Sequence, residues 1–157
     1  MRTWTEADFA GLSWHDNHIH AIALRVGEPA AGDWTSDLVL DIDHILEWVR
    51  EEGGRMRFRI APAKLVFHGV TDRRIHIDDG SSGLQVAHGL PSIHRIEREP
   101  IADQKVFLDR PYYRWRVELN APRDGEITFG AVGFTQMLES EPVLCEEQWL
   151  TRAAARP

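Results

Sequence analysis

The stretch Ser13-Trp14-His15-Asp16-Asn17-His18-Ile19-His20 sets three histidines and an aspartate within six positions. Imidazole and carboxylate are the usual ligands of Zn²⁺ and other borderline divalent metals. His18 and His20 lie two apart, so on a strand they share a face and could chelate one ion. Asp41 and Asp43 repeat that spacing on a second candidate strand. His15, His18, His20, Asp41 and Asp43 are therefore the candidate ligands of a divalent metal, and a small metal-dependent hydrolase is the enzyme such a set would make. The spacing matches no helical or loop metal motif such as H-E-x-x-H.

Each of these residues also has a structural role open to it. His18 and His20 extend the period-2 face of Ile22, Leu24 and Val26, which would put them where a core face meets the rim of a sheet. His15 and Asp16 are short polar side chains at a strand entry, where they can hydrogen-bond the backbone. Asp41 and Asp43 alternate with Leu38, Leu40 and Ile42, so they would lie on the solvent side and pair with Arg55, Arg57 and Arg59 across a hairpin. The structural roles are preferred, and the metal is the alternative.

Tyr112, Arg114 and Arg116 fall on one strand face and form a second candidate site, for a carboxylate or phosphate held by planar guanidinium forks. The same arginines can instead lay their stems along the sheet. No nucleophile is found. The serines lack a G-x-S-x-G elbow, and Cys145 is followed by two glutamates that would raise its thiol pKa. Gly130-Ala131-Val132-Gly133 lies inside a strand pattern, where glycines permit bending or close packing rather than cradling phosphate. No catalytic residue is assigned. The six tryptophans read as packing, or as a protein or sugar contact if exposed.

Strands must position these groups. Residues 3–9 suggest a short helical turn with Thr3 or Thr5 as cap, and 19–26 a strand. The run 38–43 alternates cleanly. Beyond it, Ile42, Ile45, Leu46 and Val49 sit at helical spacing, but the Glu51-Glu52-Gly53-Gly54 turn favours a strand to residue 50 and a hairpin. Arg55 to Ile60 alternates again, and Pro62 suggests a bulge or an edge. Further strands are expected at 65–70, 74–78, 113–119 and 126–134, with a loop at 79–83 and a turn at 120–125, and Ile93, Ile96 and Ile101 mark a less regular segment around Pro100. Residues 143–153 are expected to be helical. The fold class is all-β: an antiparallel β-sandwich or strongly curved sheet with a short C-terminal helix, in one domain over 1–157.

Composition narrows the function classes. The chain carries a net charge of −7, with nine acids against two bases in residues 1–49 and fourteen bases against ten acids in 50–123. An acidic chain is poorly suited to sequence-independent nucleic-acid binding, so no nucleic-acid partner is expected. No apolar run reaches the ~20 residues of a membrane span, and the N-terminus lacks an apolar signal region. A single cysteine excludes an internal disulfide. A cytoplasmic address is expected.

The N-terminal half resembles small uncharacterised bacterial β-proteins, some of them similar to immunity proteins of polymorphic toxin systems. Trp14-His15-Asp16, Ile19 and Ile22, the strand Leu38 to Ile42, and Leu65-Val66-Phe67-His68-Gly69-Val70 carry the resemblance. It implies a compact β-sandwich-like domain with a binding role and supplies no catalytic residue. The leading expectation is a non-enzymatic protein that recognises a protein partner through a sheet face or loop rim. An exposed edge strand would also permit a homodimer.

Overall fold

The computed structural model describes residues 2–80, 89–102 and 110–152. Its backbone is built on the longest alternating stretch of the sequence. β3 (Ser36–Arg50) and β4 (Met56–His68) form a hairpin whose turn passes through Gly53 at φ 87° and Gly54 at φ 84°. Positive φ is open to glycine and strained for other residues, so these two positions set where the chain reverses. The turn fixes the register: Glu47 lies opposite Arg59, Asp43 opposite Pro62 and Asp41 opposite Lys64. The expected ladder from Arg55, Arg57 and Arg59 to Asp41 and Asp43 is therefore not formed. Arg59 pairs with Glu47 at 3.0 Å, Arg57 with Glu51 at 3.2 Å, and Arg55 with Glu146.

The remaining strands are β1 (Thr3–Thr5), β2 (His18–Val26), β5 (Thr71–His76), β6 (Ser92–Pro100), β7 (Tyr113–Ala121), β8 (Glu126–Ala131), β9 (Gly133–Leu138) and β10 (Val143–Cys145). They make one antiparallel sheet in the order β1-β9-β4-β3-β2-β6-β7-β8-β5, with β10 added beside β4. The fold is all-β, and the sheet is folded over without closing into a barrel. The 126–134 strand expected as one piece bends at Val132 into β8 and β9, while β4 passes into β5 at Gly69, where φ is 63°. The β4·β9 ladder thus continues round a corner as the β5·β8 ladder. Gly130 is required beside that corner, because a Cβ there would collide with the Tyr112 hydroxyl and lie 2.8 Å from Thr71 Oγ1.

The fold-over encloses an aromatic core. Phe67 packs edge-on against Trp115 at 5.1 Å and Phe129 at 4.7 Å, and Phe134 meets Trp115 at 6.0 Å. Leu38, Leu40 and Ile42 from β3 are fully buried in the same cluster. Pro62 sits inside β4 at the place where its neighbour changes from β9 to β10, so its missing N–H removes no ladder bond.

Two local expectations are revised. The helical turn is a 3₁₀ turn over Glu6–Gly11, with Thr5 as its cap and the Asp8 carboxylate accepting from the Thr5 N–H at 2.8 Å. The C-terminal segment expected as helix is instead β10 followed by an irregular arm through Arg152, residue 153 lying outside the described residues. β10 pairs with Phe58 to Ile60, the part of β4 that β9 does not reach, and that vacancy outweighs local helix propensity. In the loop expected at 79–83, residues 81–83 likewise lie outside the described residues. Among the described residues no helix is long and apolar enough to cross a membrane.

Candidate functional site

β2 positions the histidines through an irregularity. Its register on β3 runs Ile19 to Ile42, then Ala21 to Asp41, leaving His20 as the extra residue of a bulge. The bulge lets Ile19 and Ile22, three apart, both face the core, and it turns His18 and His20 outward, toward the Asp43 side. They do not share the Ile22 face as simple alternation predicts.

That outer face is covered by the C-terminal arm. Asp43, expected on the solvent side, has no exposed surface. Its Oδ2 accepts from His20 Nε2 at 2.6 Å and from the Leu150 backbone N–H at 2.8 Å, and its Oδ1 accepts from Arg152 Nη2 at 2.9 Å. Arg152 also donates to the Ile42 carbonyl at 2.9 Å and bridges to Asp41, which Lys64 approaches at 2.5 Å. Burial pushes the Asp41 carboxyl up, but hydrogen bonds from Lys64 and Arg152 outweigh it and hold the group below its ordinary value. For Arg152 burial again opposes the charge, and the two aspartates raise the guanidinium above its ordinary value. His18 Nδ1 donates to the Gln148 carbonyl at 3.2 Å, and its ring meets Trp149 edge-on at 5.4 Å.

His15 lies elsewhere. Its Nδ1 donates to the His94 carbonyl at 3.1 Å, and its ring is near-parallel to Trp48. Asp16, at φ 60°, accepts from Asn120 at 2.6 Å and Gln148 at 3.1 Å. It ties the end of β7 to the arm, while the strand entry is bonded by backbone groups, Asp16 N to Ile93 O at 2.8 Å. The structure thus joins His20, Asp43 and Asp41 through Arg152 and Lys64, and separates His15 from them. Among the described residues no group of three or more His, Cys, Asp or Glu side chains is gathered as a metal site. With its oxygens filled by protein donors, the cluster acts as the anchor of the arm.

The second candidate site also divides. Tyr112 bonds Thr71 through its hydroxyl, and Arg116 pairs with Glu126 at 2.8 Å. Arg114 and Arg116 line a cleft of about 590 Å³ with Glu97, Glu99 and Thr128, and Tyr112 is not part of its lining. Burial pushes the Cys145 thiol up, with Asp43 and Glu147 adding to the push and Arg57 opposing it, in keeping with an unreactive cysteine.

Several polar residues that order the structure carry no local signal in the sequence. Arg152 reads as part of a tail, and Gln148 as a helix position. Asn17 and His44 are buried side by side, 2.8 Å apart, and Gln136 is buried while accepting from Trp14 Nε1 at 2.7 Å. Arg98 lies over Phe9 and Tyr113, each at 4.3 Å, and pairs with Glu6. Only contacts between distant strands reveal them.

No protein-family model matches the chain, and neither the comparison with curated proteins nor that with solved structures returns a match.

Proposed function

We propose that this chain is a cytoplasmic, non-enzymatic binding protein, immunity-like in character, that recognises a protein partner through the rim formed by the β2–β3 hairpin. One observation carries the reading: the apolar face of this hairpin continues past the end of the core. Ile22 opposes Leu40, Leu24 opposes Leu38 and Val26 opposes Ser36. Along that face Leu38 and Leu40 are fully buried, yet Leu24 is 48% exposed, Val26 66% and Trp34, in the loop, 79%. Single exposed apolar residues are ordinary. A tryptophan and two aliphatics exposed together at one end of the β2–β3 hairpin are the composition of an interface anchor. The arm-filled His/Asp cluster supports a binding role over hydrolysis.

The test is affinity capture from the source cell with the wild-type chain and with Trp34→Asp, followed by reconstitution of any captured complex from purified components. A partner held by the wild type and released by Trp34→Asp is the expected result. A partner indifferent to Trp34→Asp, or self-association alone, would overturn the assignment.

A further inference from the structure

Beside the second half of β3 lies a pocket of about 310 Å³ that neither the hairpin rim nor the arm uses. Its lining combines the rings of Trp4, His15, His44 and Trp48 with the polar side chains of Arg2, Ser13 and Glu47. Trp4 and His44 meet edge-on at 5.3 Å, while His15 and Trp48 are near-parallel, with planes 18° apart and centroids 6.4 Å apart. Arg2 stands at its rim, the guanidinium 4.7 Å over the Trp4 ring, and among the described residues it makes no ion pair. The acid in the lining, Glu47, is engaged by Arg59 at 3.0 Å.

The deepest polar group is His44, and its surroundings determine where its proton sits. The Ile45 N–H donates to Asn17 Oδ1 at 3.2 Å, so Asn17 turns its amide nitrogen toward His44 Nδ1, 2.8 Å away. Nδ1 therefore accepts, and a neutral His44 carries its hydrogen on Nε2. Burial first, then Arg2, pushes this imidazole down to about 4, so it is neutral near pH 7. Nε2 has no protein partner among the described residues, although His44 is only 3% exposed. Nε2 keeps some accessible surface, so it can donate to water or to a ligand.

We propose that this pocket binds a small carboxylate with a flat apolar body. One carboxylate oxygen accepts from His44 Nε2, the other faces the Arg2 fork, and the body lies against Trp4 and Trp48. The volume is at the lower end of ligand cavities, which limits the ligand to roughly one or two rings. The geometry calls for an acceptor at two points and offers no free acid to hold a cation.

The experiment titrates the full chain with benzoate and 2-naphthoate, and with neutral 2-naphthamide, while following the Trp4 and Trp48 indole N–H and the His44 ring by NMR. Both carboxylates are expected to give saturable shifts with Kd near or below about 1 mM and to reveal a hydrogen-bonded Nε2–H on His44. Arg2→Gln, titrated against its own ligand-free spectrum, should weaken carboxylate binding roughly three- to tenfold. The proposal is overturned by no saturable shift up to roughly 10 mM, by equal binding of the amide, or by an unchanged Kd in Arg2→Gln. Loss of the rim partner in the Trp34→Asp capture bears on neither outcome.

Discussion

Asp43 and His20 are joined by a 2.6 Å hydrogen bond from Nε2 to Oδ2, with the carboxylate shut off from solvent. In isolation this is the pairing that orients a catalytic imidazole. Here the other acceptor positions of Asp43 are occupied by Leu150 N and Arg152, so the pair fastens the arm to the outer face of β2 and β3. Charge is buried only where every lone pair facing inward meets a donor.

Removing the acceptor should therefore loosen the arm. Asp43→Ala is expected to cost about 3 to 5 kcal/mol, and Arg152→Met less, because His20 and Leu150 still donate to Asp43. Urea denaturation of both variants measures this. Costs within about 0.5 kcal/mol for both would show that the anchor contributes nothing.

His44 should give the fold a pH dependence. Its folded value is about 4 against an ordinary 6.5, so between these values the unfolded chain binds more protons than the folded one. Stability from this group is complete above about pH 6.5 and falls as pH drops toward 4, by up to about 3 kcal/mol. Denaturation from pH 7 to 4 should show a shallower loss in His44→Leu than in the wild type. Identical slopes would rule out the contribution.

Trp34 separates binding from folding. With 79% of its surface exposed, Trp34→Ala should leave stability within about 0.5 kcal/mol. It should cost about 2 kcal/mol or more in affinity for the rim partner, as an interface anchor does. Calorimetry on the reconstituted complex reads the second effect, and thermal melts read the first.

The corner glycine tests the fold-over. Gly130→Ala forces a methyl group against the Tyr112 hydroxyl and Thr71, and should cost about 1 to 3 kcal/mol. Gly11→Ala meets nothing within 4 Å and should stay within about 0.5 kcal/mol. Equal costs at the two positions would contradict the packing described at the corner.

Much of the strand content was legible, because alternation is a local property. The β3–β4 hairpin follows from two alternating runs and a glycine pair, and β7 from Tyr113, Trp115, Val117 and Leu119. The helical spacing of Ile42, Ile45 and Leu46 was misleading for a physical reason. Both faces of β3 are covered, Ile42 and Leu46 packing into the main core and Ile45 into a second cluster with Phe58 and Ile60, while a register shift falls between Ile45 and Glu47. The site was less legible. The histidines and aspartates were visible by type, but the bulge at His20 reverses the histidines' face, and a one-residue shift in a period of two leaves no trace in composition.

By itself the sequence determined an all-β chain, its longest hairpin and the residues able to carry charge or bind metal. Period-2 patterning and turn chemistry act over a few residues and need no distant partner. Only the tertiary structure decided that residues 143–152 form a strand and an arm, that Asp43 is buried with His20 and Arg152, and that His44 is buried beside Asn17 in the lining of a pocket. Those outcomes depend on which strand leaves a vacancy and which donors arrive from more than a hundred residues away, as Arg152 does to Asp43.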